Sequence, residues 1–206
     1  MGTYLRTIAH LLAQAGETVH VIAHRWRGAS RARAVSEDGR LIVHRVALND
    51  PLPPASEREG LTPLVAHAML ASSFPSQAFS WQAARLAERL VEREGIDVVE
   101  AQEWEAPLYY FQLRRALNLG PVRRPPCVIH LHSSTEQIFE ANEWDCTVVD
   151  YAPAVAMEAY SITAADAVIC PSRFMAEHAL ARYHLTPSSV RVIRYPLGRV
   201  AHRERT

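Results

Sequence analysis

The chain has 206 residues, 49% of them hydrophobic, with 22 basic and 22 acidic side chains. That length allows one large or two small domains, with enough apolar material for a substantial core. The zero net charge sets up no field toward nucleic acid, and every basic side chain besides His is Arg, which excludes a Walker lysine, a Schiff-base lysine and a lysine general base within these residues.

The elements alternate between two hydrophobic periods. Tyr4, Ile8, Leu11, Leu12 and Ala15 mark one face of a first helix, which Gly16 ends. Residues 18–23 (TVHVIA) predict a strand, and residues 40–48 a second one after an Asp38-Gly39 turn. Residues 49–63, rich in Pro, Gly and charge, predict a loop. A long helix follows over 76–94, with Phe79, Ala83, Leu86, Leu90 and Val91 inward, closed by Gly95; a short buried strand occupies 96–101. Then come a helix over 107–117, a strand over 126–131 (PCVIHL), and a helix with Ala152, Val155, Ala159 and Ile162 on its inner face. A strand over 166–170 (DAVIC), a helix from its N-cap Ser172 to Tyr183, and a last strand over 190–195 complete the chain.

Short continuous apolar strands alternating with helices predict an α/β fold: a Rossmann-like, doubly wound parallel sheet covered on both faces. Ligands bind such sheets at the carboxyl ends of the strands. The pattern opens on a helix where a strand and a Gly-rich turn normally come first, so the first strand is expected to be missing. In a doubly wound sheet that strand is central. Without it the chain is expected to be marginally stable, aggregation-prone or dependent on pairing with another strand.

Cys127, Cys146 and Cys170 are odd in number and widely spaced, with no CxxC. They suggest neither a zinc knuckle nor a disulfide framework; Cys127 and Cys170 read as small buried thiols. No apolar run approaches a bilayer span, and Arg6 and His10 interrupt any leader-like order at the N-terminus. A soluble cytoplasmic protein is the expectation.

Residues 2–9 (GTYLRTIA), Leu12-Ala13 and residues 16–22 (GETVHVI) resemble the N-terminal domain of glycosyltransferase family 4. So do Glu158, residues 165–169 (ADAVI), Pro171-Ser172-Arg173 and residues 190–198, and between them residues 128–132 (VIHLH) resemble the family's strand ending in His. The chain departs from the family pattern at Glu17-Thr18, where a His is usual, and at Pro196-Leu197-Gly198, where Pro-Asn-Gly is usual. The resemblance implies one half of a GT-B fold: residues 1–198 as the acceptor-side domain, 199–206 as the start of a linker or tail, and a C-terminal donor domain absent from these residues. It further implies a retaining transfer from a nucleotide sugar, the co-substrate, to a sugar or lipid-linked acceptor, with no metal and no other cofactor. A chain of this extent is expected to be inactive alone. Two alternatives stay open: a non-catalytic ligand- or partner-binding fragment of a split or truncated gene, and another GT-B enzyme such as a sugar-nucleotide epimerase.

His132 stands at the end of a buried strand, where an imidazole can exchange a hydrogen bond with a sugar hydroxyl; the resemblance implies contact with the donor sugar. His130 shares its strand face, so a zinc pair with Glu136 is geometrically allowed, yet no spacing supplies the third ligand and a packed His130 is favoured. Gly2 and Thr3 start the first helix, whose free N–H groups suit a diphosphate. Glu100, Gln102, Glu103 and Trp104 follow a strand and suit a polyhydroxylated acceptor, with Ser133 beside His132; a solvated loop anchored by Trp104 is the competing reading. No G-x-S-x-G accompanies Ser133 or Ser134, which excludes a nucleophile elbow. Arg173 sits at a helix N-terminus, to meet phosphate or to pair with Glu177, and Glu158 either orients a cleft loop or is an ordinary surface carboxylate. Arg25, Arg27, Arg31 and Arg33 fit an anionic acceptor, peripheral membrane contact or a solvated loop, the last being favoured.

Overall fold

A computed structural model describes residues 2–25, 31–47 and 75–196. The expected loop over 49–63, Arg27 and the stretch 197–206 lie outside the described residues. Helix α1 (Gly2–Gln14) ends where Gly16 takes φ 101°, its N–H and that of Glu17 reaching back to the carbonyls of Ala13 and Leu12. Strands β1 (Val19–His24), β2 (Arg33–Val35) and β3 (Leu41–Val46) form one sheet in the order β1-β3-β2; β1 runs parallel to β3, and β2 antiparallel. The hydrophobic pattern does not predict β2. Its three residues lie at the end of the arginine cluster and are too short for an alternation to show.

The second sheet carries the larger core. Helix α2 (Pro75–Glu94) leads to β4 (Val99–Gln102), α3 (Tyr109–Ala116), β5 (Cys127–His130), α4 (Thr135–Ala141), α5 (Tyr151–Thr163), β6 (Ala167–Cys170), α6 (Arg173–Tyr183) and, after a 3-10 turn over Pro187–Ser189, β7 (Val190–Val192). The order is β4-β5-β6-β7, all parallel. Cys127, Ile129, Val168 and Cys170 are buried in one cluster with Trp81, Ala84 and Val91 of α2 and Ile162 of α5. Asp166, in the residues just before β6, accepts hydrogen bonds from the Cys127 N–H (2.7 Å) and from both terminal nitrogens of Arg115 (2.7 and 2.9 Å). It therefore ties the amino ends of β5 and β6 together.

Two helix faces differ from the periodicity. On α1 the buried residues are Ala9 and Ala13, packed on Leu41, while Leu11 and Leu12 are exposed. On α5 the buried residues are Ala154, Met157, Glu158, Ser161 and Ile162 rather than the line through Ala152, Val155 and Ala159. Glu158 is polar, and a pattern read from hydrophobicity sets it outside; its hydrogen-bond partners carry it inside.

Among the described residues the two sheets do not join, and β1 and β4 each pair on one side only. Val19 and Val21 of β1 pack with α1, whereas Ile22 joins the core that holds Trp81 and Ala84 of α2. Since alternate strand residues face opposite ways, helices cover both faces beside the open edge of β1. A doubly wound sheet carries a central, two-sidedly apolar strand at this place.

Candidate functional site

The carboxyl ends of β4 and β5 carry the segments that make the site. Trp104 lies two residues beyond β4 and His132 two residues beyond β5. With Ser133 and Ile138 they line an open depression of about 280 Å³. Ile138 belongs to α4, a helix that the hydrophobic periods do not predict. The signal was present as Ser134-Thr-Glu-Gln137, a capping box: the Ser134 hydroxyl oxygen accepts from the Gln137 N–H, and the Gln137 side chain accepts from the Ser134 N–H.

Two buried carboxylates hold these segments. Glu103 is 1% exposed, and its Oε1 accepts from the His132 N–H at 2.6 Å. Its side chain is thus turned under the depression and supports the His132 backbone. Glu158, also 1% exposed, accepts from the Glu105 N–H (3.0 Å), the Thr135 N–H (2.7 Å) and the Thr135 hydroxyl (2.5 Å). It joins the segment after β4 to the start of α4. Glu105 and Ala106 hold φ of 63° and 44°, a costly conformation for residues with a Cβ, and the Glu158 bond falls on the first of them.

Aromatic rings close the other side. The His132 Nδ1 lies 2.6 Å from the hydroxyl of Tyr195, and the two rings stack at 5.1 Å with planes 12° apart. Tyr4 of α1 reaches the His130 Nδ1 with its hydroxyl at 2.6 Å, its ring packing edge-on to both imidazoles. Through Tyr4 the N-terminus of α1, with Gly2 and Thr3 exposed, comes beside the His132 segment. His130 is buried, with Glu100 Oε1 at 3.5 Å from the same nitrogen that Tyr4 engages. Arg173 is exposed at the first turn of α6, and no salt bridge joins it to Glu177 among the described residues. Nothing in the sequence marks Tyr4 or Tyr195 as a site residue; each sits in an ordinary apolar pattern, and only the tertiary contacts distinguish it.

Burial shapes the charge here. It pushes the His132 imidazole down to about 4, with neighbouring His130 adding to the effect, so His132 is neutral near pH 7. Burial also raises the Glu103 carboxyl to about 7, opposed by the His132 N–H bond and reinforced by Glu158. The Glu158 carboxyl is raised for the same first reason, against the pull of its three donors.

The Glu103 shift has a testable sign. Its ordinary value is 4.5 and its folded value about 7, so between these the folded state holds more protons and stability falls as pH rises. The full cost of the buried carboxylate, about 3 kcal/mol, is reached above pH 7 and is absent below pH 4.5. Glu103→Gln removes this titration. Its stability relative to the wild type is expected to improve by about 2.5 kcal/mol between pH 5 and pH 8 in urea titrations, part of the cost being present already at pH 5; a pH-independent difference would contradict the assignment.

A family model described as Glycosyltransferase Family 4 matches residues 1–196. The chain belongs to glycosyltransferase family 4. Among solved structures, this family 4 chain is similar to a sucrose-phosphate synthase from Thermosynechococcus elongatus, with a TM-score of 0.56 and 13% identity, over 93% of this chain and 83% of that one. At that identity the likeness concerns the fold, and it agrees with the α/β, GT-B-half architecture expected from the sequence. No curated protein sequence matches the family 4 chain significantly.

Proposed function

We propose that this glycosyltransferase domain is the acceptor-side half of a retaining enzyme that moves a sugar from a nucleotide-sugar donor to a sugar or lipid-linked acceptor. The observation that carries the reading is the depression at the carboxyl ends of β4 and β5, with Trp104, neutral His132 and Ser133 converging on it. An indole presents a flat apolar surface to the C–H face of a pyranose, and imidazole and hydroxyl groups exchange hydrogen bonds with its hydroxyls. The N-terminus of α1, at Gly2 and Thr3, is near the His132 segment through Tyr4, and helix N–H groups there suit the diphosphate of the donor. A separate donor domain completes the cleft, the reaction proceeds in the cytoplasm, and the present residues alone do not turn over.

Methyl pyranosides titrated into the 15N-labelled chain are expected to shift the Trp104 indole and the His132 ring signals saturably. Trp104→Ala is expected to weaken binding about five- to tenfold, the worth of about 1–1.5 kcal/mol for an aromatic contact. Shifts confined to other regions, or unchanged affinity in the variant, would remove the depression from the site.

A further inference from the structure

The chain beyond β7 turns back across the site. The Ile193 N–H extends the β6 ladder by donating to the Cys170 carbonyl at 2.9 Å, and two residues later Tyr195 brings its hydroxyl to His132, the two ring planes nearly parallel. A phenol has one proton to give. The Tyr195 hydroxyl lies 2.6 Å from His132 Nδ1 and 3.3 Å from the Leu131 carbonyl, and only the first distance falls in the normal range for an O–H donor. A neutral imidazole nitrogen is a strong acceptor, whereas the phenol oxygen is a weak one because its lone pair is shared with the ring. The proton therefore goes to Nδ1, which leaves the ring's own proton on Nε2. Ser133 is committed in the opposite sense. Its hydroxyl donates to the His132 carbonyl at 2.6 Å, so its oxygen lone pairs remain for a ligand.

We infer that Tyr195 is a positioning residue that fixes His132 as the Nε2–H tautomer, so that the depression offers a donor at His132 and an acceptor at Ser133 to two adjacent hydroxyls of a sugar. One hydroxyl oxygen accepts from Nε2–H and its neighbour donates to Ser133 Oγ, with the ring face against Trp104. The identity of the ligand rests on the sugar-transfer reading; the tautomer does not. Burial of the imidazole, which keeps it neutral over the working pH range, makes its tautomer the variable that decides the polarity of the hydrogen bond.

Long-range 1H–15N spectra of the His132 ring between pH 6 and 8 test the assignment without any turnover. The wild type is expected to show the Nε2–H pattern. Tyr195→Phe removes one oxygen from a partly exposed ring and is expected to lower the ratio of Nε2–H to Nδ1–H about fivefold, one hydrogen bond's worth. An Nδ1–H wild type, or an unchanged ratio in Tyr195→Phe, overturns the role of Tyr195. Methyl pyranosides lacking one hydroxyl of a vicinal pair are expected to bind about fivefold more weakly than the parent at the affected pair; equal binding by every deoxy analogue overturns the donor–acceptor polarity. Absence of pyranoside binding in both chains overturns the sugar ligand and the reading it rests on, and the tautomer ratio still decides Tyr195.

Discussion

Glu158→Ala is expected to remove about 3–5 kcal/mol of folding stability, since each buried donor left without a partner costs about 1–3 kcal/mol. Three donors converge on this carboxylate: the Glu105 N–H, the Thr135 N–H and the Thr135 hydroxyl. Alanine supplies no acceptor, and the fully enclosed position leaves water little room to replace one. The loss is large against the about 5–15 kcal/mol that holds a domain together. It is also local in its consequence, because the two segments released are those that carry Trp104 and lead into α4 with Ile138. Urea unfolding measures the stability, and amide exchange at Glu105 and Thr135 reports the release. Glu158→Gln keeps an acceptor oxygen and is expected to retain more than half of the stability lost in Glu158→Ala. A loss under about 1 kcal/mol in Glu158→Ala would show that the segments are held by other contacts.

The open edges of β1 and β4 lead to the second large effect. Among the described residues these strands pair only with β3 and β5, respectively, so each presents a row of unpaired N–H and C=O groups between covering helices. A chain extended before Gly2 by an apolar strand of about six residues and a Gly-rich turn can pair the open edge of β1, with right-handed passage through α1. The gain is expected to be of the order of 5 kcal/mol after chain entropy is subtracted. At this size that corresponds to a rise in Tm of roughly 10–20 °C. By sedimentation, the extension is expected to lower self-association through these edges. An extension of equal length with Pro at its centre is the control, since Pro cannot donate to the ladder. If the unextended chain is monomeric and high-melting, and the amides along β1 and β4 exchange as slowly as those of β3 and β5, the edges are already satisfied and the prediction fails.

Local pattern suffices for the alternation of strands and helices, and with it the parallel α/β class, because burial on both faces forces short apolar runs such as CVI and AVIC. It also placed α6 from Ser172 to Tyr183, because the capping hydroxyl and the end of the period are local signals. The depression was legible to the extent that Trp104, His132 and Ser133 each follow a strand in the chain, and topology alone brings strand ends together. Long-range contacts supply what a local pattern does not encode. Glu103 and Glu158 are charged residues that hydropathy assigns to the surface, and they are buried because their backbone donors, far away in sequence, exist only in the folded chain. Tyr195 meets His132 across 63 positions, and Tyr4 meets His130 across 126. Contacts at that separation depend on how the sheet stacks its strands, and no period of 2 or 3.6 residues carries that information.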